Sequence, residues 1–142
     1  MLRLKARHPE VEIVLNGGVA SLADAAHHLE HFDGVMMGRA AYQEPWRLLD
    51  ADPLLFGAPA PANSAVAAAE ALVAYVAREV EAGTRASAIL RHVVGLFHAV
   101  PGARAFRRHI AAAAVRPGAG AEVLRDALAF VTHGGPGEAA AA

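Results

Sequence analysis

The sequence predicts an α/β segment followed by an all-α segment. The first prediction rests on two short apolar runs, residues 11–15 and 35–37, each of which ends in a glycine turn before a helical pattern begins. The second rests on four amphipathic patterns of helical length that follow a stretch rich in proline. Strands alternating with helices, and then helices alone, are typical of an α/β layer joined to a separate helical bundle.

The first segment predicts strands and helices in alternation. Its elements are a helix over residues 2–7, a strand over 11–15, a helix over 21–31, a strand over 34–37 and a short helix from Arg39. Ser21 supplies a cap for the second helix, and Pro45 disrupts the last one. Two strands joined by a helix are expected to pair in parallel with a right-handed crossover. Because residues 13–15 are uninterrupted apolar residues, we expect the first strand to be buried on both faces.

Both glycine turns are expected at one edge of this sheet, because the carboxyl ends of parallel strands meet there. Gly17, Gly18 and Gly38 would expose backbone N–H groups beside helix N-termini, and Arg39 could pair with phosphate charge. Asn16, at the end of the first strand, could contact a ligand or fix the turn. These residues predict an anion site, although glycines that supply positive φ to ordinary βα turns explain the spacing equally well.

The second segment predicts a small helical bundle. Its helices are expected over residues 64–82, 84–98, 102–115 and 120–132. Residues 51–61 have the composition of a linker, and residues 134–142, which are rich in Gly, Pro and Ala, are expected to be disordered. The predicted organisation is therefore an α/β region over residues 1–50, a linker over 51–61, a helical domain over 62–133 and a disordered tail over 134–142.

Charge is distributed unevenly along the chain, although the net charge is only −1. No acidic residue occurs between Glu81 and Glu122, an interval that holds six arginines. On a helix, Arg104, Arg107 and Arg108 share one side, and no acid lies one turn away to neutralise them. A solvated charged face is the ordinary meaning of such a stripe. The complete absence of acids over this interval favours a polyanionic partner instead.

Composition excludes several classes of protein. The chain has no Cys, so it forms no disulfides and has no thiol chemistry of its own. No apolar run is long enough to span a membrane, and residues 1–5 are too short for a signal peptide, so we expect a cytoplasmic protein with no membrane partner. His27 and His31 have a metal-compatible spacing near Glu30. No third ligand has a clear claim, however, and we predict no metal site.

Several motifs resemble the tRNA-dihydrouridine synthases, most closely the A-type bacterial subfamily. In the first segment they are Asn16-Gly17-Gly18 and the run Asp33-Gly34-Val35-Met36-Met37-Gly38-Arg39-Ala40-Ala41-Tyr42-Gln43, followed by Pro45. In the second they are Arg91-His92-Val93-Val94-Gly95-Leu96-Phe97 and Pro101-Gly102-Ala103-Arg104-Ala105-Phe106-Arg107-Arg108. The resemblance extends over residues 11–114. The second pair of motifs is the more specific, since many FMN barrels carry something like the first.

The resemblance implies the last two βα units of a (β/α)8 TIM barrel, followed by a four-helix domain. A whole barrel needs about 200–250 residues, and this chain has 142. We therefore expect an incomplete barrel that lacks its N-terminal portion and that, in isolation, is poorly soluble or oligomeric. The resemblance also implies that the two turns, with Asn16, Gly17, Gly18, Gly38 and Arg39, bind the phosphate end of FMN.

The resemblance further implies an oxidoreductase that reduces uridine in tRNA to dihydrouridine. NADPH reduces FMN, the flavin passes hydride to the uracil ring, and a Cys protonates the adjacent carbon. That Cys is absent here, so we expect no catalytic residue in this chain and no activity from it alone. Arg104 and Arg107 correspond to tRNA-binding positions, and Arg91 and Arg108 are weaker candidates. Glu44 stands where the family more often has Asn, and Phe106 where it more often has Trp.

Two other interpretations stay open from sequence alone. One is a stand-alone RNA-binding helical module whose α/β portion is vestigial. The other is the end of a different FMN-binding or phosphate-binding barrel that acts on a small molecule. Retention of flavin would favour the synthase interpretation over the first alternative. Absence of tRNA affinity would favour the second.

Overall fold

A computed structural model describes residues 1–132 of the chain. The chain divides into two compact units, Met1–Pro61 and a second unit that begins at Ala62. This division lies at the end of the stretch predicted to be a linker. The predicted tail, residues 134–142, lies outside the described residues. Within residues 1–132, no helix is long and apolar enough to cross a membrane.

The first unit is an α/β arrangement around one pair of parallel strands. Its elements are α1 (Leu2–Arg7), β1 (Val14–Asn16), α2 (Leu22–Leu29), β2 (Gly34–Met36) and α3 (Arg39–Gln43), followed by a 3-10 helix (Pro45–Asp50) and a π-helical turn (Asp52–Phe56). In the β1–β2 pair, Val14 lies opposite Gly34 and Asn16 lies opposite Met36. The predicted order of strand, helix and parallel strand is confirmed. The predicted linker, by contrast, contains the π-helical turn.

The first strand is shorter than predicted, because β1 begins at Val14 and not at residue 11. Lys5 accounts for the difference. Its ammonium group donates to the Val11 carbonyl at 2.9 Å and to the Asp33 carboxylate at 2.6 Å. That same carboxylate accepts the Ile13 backbone N–H at 2.8 Å. Backbone groups that the prediction assigned to a strand ladder are thus bonded to side chains, and the ladder starts only after them.

The expectation that β1 is buried on both faces is wrong for this unit. Val14 is 52% exposed, and Met36 on the neighbouring strand is 46% exposed. The sheet has only two strands, and the buried apolar residues of this unit are Ile13, Val19, Ala25 and Phe32. A face that no further strand or helix covers stays open to solvent, however apolar its sequence.

The second unit is helical, with α4 (Ala65–Glu81), α5 (Ala86–Leu90), α6 (Ala103–Ala113) and α7 (Glu122–Thr132). Helix α7 packs against both α6 and α4. The largest fully buried side chains come from all four helices: Phe106, Leu90, Ile110, Leu124 and Val76. Ser64 caps α4 by accepting the Ala67 backbone N–H at 3.0 Å. The predicted apolar faces of α4, α6 and α7 therefore form one core.

The second predicted helix, over residues 84–98, is wrong in its length. Helix α5 ends at Leu90, and turns follow to residue 98. Val93, Val94 and Gly95 interrupt the helix, because β-branched residues and Gly are weaker helix formers than Ala or Leu. Val93 and Phe97 are nevertheless buried. The apolar pattern read as a helix face thus anchors an irregular segment to the core.

Candidate functional site

The first candidate site is a cleft at the carboxyl ends of the two parallel strands. The register that sets Asn16 opposite Met36 brings the turns after β1 and β2 to the same edge. The cleft has a volume of about 590 Å³. It is lined by Asn16, Gly17, Gly18, Val19, Ala20, Met36, Gly38, Arg39, Ala40, Gln43, Glu44 and Arg47. All five residues predicted for the anion site, Asn16, Gly17, Gly18, Gly38 and Arg39, are therefore brought together.

The glycines of this cleft differ in the structural reason that favours glycine at each position. Gly17 and Gly18 have φ of 111° and 78°, a region that L side chains rarely adopt. Gly38 has φ of −94°, and a Cβ there would meet only the Met36 side chain, at 3.6 Å, which is ordinary van der Waals contact. The Gly38 ψ of −89° lies outside the helical range, so backbone conformation favours glycine at position 38. The open space there also lets a ligand approach the backbone closely.

Helix α2 uses its own residues to satisfy its N-terminus. The Asp24 backbone N–H donates to the Ser21 hydroxyl at 3.0 Å, and the Asp24 carboxylate accepts the Ala20 N–H at 3.3 Å. Hydrogen bonding with the Ser21 hydroxyl, and then with that N–H, lowers the pKa of Asp24 below its ordinary value. The predicted capping by Ser21 is confirmed. Because these contacts occupy the N–H groups of Ala20 and Asp24 at the start of α2, the N–H groups of the glycine turns are the ones available to an anion.

Donors are free at the cleft. The backbone N–H groups of Gly18 and Gly38 make no hydrogen bond with residues 1–132. The Arg39 guanidinium is exposed and likewise has no hydrogen-bond or ion-pair partner among the described residues. Unpaired backbone N–H groups and a guanidinium are the groups with which proteins bind phosphate.

Sequence reasoning missed one cation of the cleft, Arg47. It forms an ion pair with Glu44 and lies over the Trp46 ring, 5.2 Å from its centroid. The spacing of Glu44 and Arg47, three residues apart, was the available signal, but Pro45 had suggested only a disruption. Because this pair is internally neutral, Arg39 leaves the cleft with one net positive charge. Glu44, which departs from the family pattern, is thereby neutralised by a neighbour.

His27 on α2 and His31, which follows the end of that helix, do not converge with other potential metal ligands. Among residues 1–132, no group of three or more His, Cys, Asp or Glu side chains could hold a metal ion. The His27 and His31 rings lie 5.9 Å apart between centroids, and His27 approaches Glu30 at 3.7 Å. These are exposed contacts along one helical turn.

The second candidate site is the exposed side of α6 in the helical unit. Arg104, Arg107 and Arg108 are exposed there, whereas Phe106 and Ile110 on the opposite side are buried at 0% and 2% exposure. The predicted division of α6 into a cationic face and a core face is therefore confirmed. Within residues 1–132, none of the three arginines forms an ion pair with an acid.

Two arginines of this unit make contacts that the helical spacing could not predict. The Arg107 Nη1 donates to the Phe97 carbonyl at 3.0 Å. Arg91 caps the end of α5 and donates through its Nε to the His92 Nε2 at 3.0 Å. Both residues are exposed. Arg91 lies on the irregular segment after α5 and not on the helix that the sequence predicted.

Comparison with protein families matches residues 2–132 to the dihydrouridine synthases (Dus). The chain belongs to the dihydrouridine synthase family. The match includes both candidate sites, and the resemblance given by the glycine turns and the arginine motifs is confirmed.

Individual relatives within the dihydrouridine synthase family agree with this assignment. The chain is 47% identical over 130 residues to a tRNA-dihydrouridine(20/20a) synthase of Yersinia pestis, covering 92% of this chain and 38% of that protein. It is 43% identical over 131 residues to the protein of that name from Vibrio cholerae, a match that covers 92% of this chain and 40% of that protein. It is 46% identical over 129 residues to the tRNA-dihydrouridine(20/20a) synthase of Vibrio parahaemolyticus, a match that covers 91% of this chain and 40% of that protein. The chain thus spans about two fifths of the length of these relatives.

Proposed function

We propose that this chain is the C-terminal part of an FMN-dependent and NADPH-dependent tRNA-dihydrouridine synthase. It supplies part of the FMN phosphate site, at the end of a TIM barrel, and a helical domain that binds tRNA. Family membership supports the reaction class, and the assembly of five residues at one cleft carries the assignment of the cofactor site.

The cleft suits the phosphate end of FMN. Its volume of about 590 Å³ lies within the range of about 300–1,000 Å³ typical of ligand pockets. With respect to residues 1–132, Gly18 and Gly38 offer unpaired N–H groups and Arg39 offers an unpaired guanidinium. The missing Cβ at Gly38 lets a phosphate oxygen approach the backbone. When bound, FMN supplies the hydride for reduction of uracil. The residues of this chain bind and orient its phosphate end.

Comparison of FMN with riboflavin tests the phosphate assignment, because the two differ only by that group. We expect the purified chain to bind FMN more tightly than riboflavin, measured by quenching of flavin fluorescence. Arg39→Ala is expected to weaken FMN binding by about tenfold or more, as loss of a charge-assisted contact should, and to leave riboflavin binding unchanged. Arg7→Ala removes an exposed arginine of the same unit that does not line the cleft, and serves as the control.

Equal affinity of the chain for FMN and riboflavin would remove the support for a phosphate site at this cleft. A loss of FMN affinity in Arg7→Ala as large as that in Arg39→Ala would do the same, since it would reflect net charge alone.

The exposed face of α6 supports the tRNA-binding part of the proposal. Arg104, Arg107 and Arg108, at positions i, i+3 and i+4, present three guanidiniums on one side of the helix. Arginine binds phosphate in a bidentate manner and also stacks on unpaired bases. Binding that neutralises phosphates releases counterions, so affinity for tRNA should fall steeply as salt rises.

Unmodified tRNA and fluorescence anisotropy test this surface. Arg104→Ala is expected to weaken binding and to reduce the slope of log affinity against log salt by about one. Arg125→Ala provides a matched control, since Arg125 is an exposed arginine on α7 outside the acid-free segment. Equal effects of the two substitutions would indicate non-specific attraction and count against the assignment.

The chain is proposed to be inactive alone. It contains no Cys, the residue type with which this family protonates uracil, and it spans about two fifths of its relatives. Incubation of the purified chain with FMN, NADPH and unmodified tRNA should therefore form no dihydrouridine. Detection of dihydrouridine by mass spectrometry of the digested tRNA would refute this part.

A stand-alone RNA-binding module is the second candidate. The arginines of the acid-free segment, none of which is ion-paired with an acid within residues 1–132, favour it, as does the separate core of this unit. Salt-sensitive tRNA binding without any affinity for FMN would decide for it. Family membership argues against the third interpretation, a different barrel enzyme acting on a small molecule.

A further inference from the structure

The irregular segment after α5 carries an exposed arginine. We call residues 91–100 the 91–100 loop. Its exposed residues include Arg91 and His98, and its buried residues are Val93 and Phe97. The loop has isolated turn hydrogen bonds, such as that from the Leu96 N–H to the Val93 carbonyl at 3.0 Å, and it needs tertiary contacts as well to keep Arg91 in a fixed position.

Two contacts from Phe97 hold this loop to α6. Its ring packs edge-to-face on the Phe106 ring, with centroids 4.8 Å apart and an interplanar angle of 80°. Its backbone carbonyl accepts the Arg107 Nη1 at 3.0 Å. The two contacts use successive residues of α6, one buried and one exposed. Ring and carbonyl are thus fixed on the same turn of the helix.

The backbone just after this attachment is unusual. Ala99 has φ of 55°, and it is the one non-glycine residue with positive φ among residues 1–132. Gly102, at the N-terminus of α6, has φ of 81°. An alanine in the left-handed region costs free energy and persists only where the surrounding structure holds it. A turn, in which the Ala103 N–H donates to the Val100 carbonyl at 3.1 Å, thus connects this residue to α6, and the contacts of Phe97 lie just before it.

We propose that Arg107 is a positioning residue that fixes the 91–100 loop on α6, so that Arg91, Arg104 and Arg108 form one pre-ordered surface for RNA phosphates. One N–H of its guanidinium is taken by the Phe97 carbonyl, and four of its five donors remain to contact a ligand. The bond also restricts the rotation of the guanidinium. Because less side-chain freedom is lost on binding, a fixed guanidinium binds phosphate more tightly than a mobile one.

This inference rests on the proposed tRNA-binding function only for the identity of the ligand. The attachment of the loop is a property of the free protein and can be measured without RNA. The attachment of the loop and its role in RNA binding can therefore be refuted by different measurements.

Charge-conserving substitutions separate position from charge. Arg107→Lys keeps the positive charge but loses the planar guanidinium that reaches Phe97, and Arg104→Lys makes the same chemical change one helical turn earlier, where no such bond exists. Hydrogen–deuterium exchange of the free full chain, resolved by peptide, is the first measurement. Arg107→Lys should speed exchange of the amides of residues 94–100 by about tenfold, the effect of losing one charge-assisted hydrogen bond. Arg104→Lys should leave it unchanged.

Binding of unmodified tRNA is the second measurement. Arg107→Lys is expected to weaken binding more than Arg104→Lys does, with the same salt slope for both, because neither substitution changes the charge. Phe97→Leu keeps an apolar anchor but loses the ring contact, and should reproduce both the faster exchange and part of the lost affinity.

Unchanged exchange at residues 94–100 in Arg107→Lys would overturn the proposal, whatever the tRNA affinity. Faster exchange with equal loss of affinity in Arg104→Lys and Arg107→Lys would overturn the role of the loop in binding. Absence of tRNA binding by the unmodified chain would instead overturn the proposed function, while the exchange data would still decide the attachment.

Discussion

Gly102 offers the sharpest test of how the cationic helix is held in place. A Cβ at this position would lie 1.9 Å from the Phe130 carbonyl oxygen and 2.6 Å from the Phe130 carbonyl carbon. The obstacle is backbone of α7, which cannot turn aside as a flexible side chain would. Gly102→Ala must therefore displace the N-terminus of α6, where Arg104 and Arg107 lie, from α7.

The cost has two parts that a matched variant separates. Alanine with φ of 81° costs about 1–2 kcal/mol in backbone conformation, and relief of the overlap costs about a further 1–3 kcal/mol. Gly118 has φ of 77° and open space where a Cβ would stand, so Gly118→Ala carries only the first cost. We expect Gly102→Ala to lower the free energy of unfolding of the helical unit by about 2–5 kcal/mol, and Gly118→Ala by about 1–2 kcal/mol.

Urea unfolding followed by far-ultraviolet circular dichroism measures both variants, because the second unit is mainly helical. Equal losses in the two variants would show that α6 does not approach the Phe130 carbonyl closely, and the reasoning from packing would fail. A matching loss of tRNA affinity in Gly102→Ala alone is the expected functional counterpart, since the arginines move with the helix.

Two further predictions concern local contacts. The Lys5 ammonium, and then the Ile13 backbone N–H, hold the pKa of Asp33 below its ordinary value of 3.8. The ionised Asp33 therefore stabilises the folded first unit fully above that value, and this stabilisation is lost as pH falls through the lower pKa of the folded state. Asp33→Asn should therefore reduce the loss of stability of the first unit between about pH 6 and about pH 3, followed by Trp46 fluorescence, and Asp50→Asn should not. Equal pH profiles for the two variants would contradict this. Ser64→Ala should cost the helical unit about 1 kcal/mol through loss of the α4 cap, whereas Ser87→Ala within α5 should cost almost nothing; a neutral Ser64→Ala would contradict the cap.

Local signals in the sequence predicted much of the fold. The capping serine Ser21 and the apolar spacing of α6 each act within one or two helical turns, and the structure follows them. The cleft that gathers the anion-site residues could be predicted from the sequence for a similar reason. Once two strands are predicted to be parallel, their carboxyl ends share an edge, and the residues that follow Asn16 and Met36 must meet there.

Long-range contacts account for the errors. The first strand is shortened because Lys5 reaches Asp33, 28 residues away, and together they bind the backbone that precedes Val14. The predicted helix over residues 84–98 stops at Leu90 although its apolar pattern continues. Buried Val93 and Phe97 satisfy that pattern from a segment of turns, in which the Leu96 N–H donates to the Val93 carbonyl, and not from a continued α-helix. Periodicity reports which side chains are buried, and it does not report how the backbone between them runs.

The sequence by itself determined the family, the alternation of strands and helices, and the residue types available to bind an anion. Glycine turns, helix caps and a segment without acids are properties of neighbouring positions, and their chemistry needs no knowledge of distant contacts. The tertiary structure alone decided how those residues are held. It showed Arg39 unpaired among the described residues while Arg47 is paired with Glu44, and it joined Arg107 to the Phe97 carbonyl. Such pairings depend on which groups meet when the chain packs, and the energy of each contact exists only at the distance that packing sets.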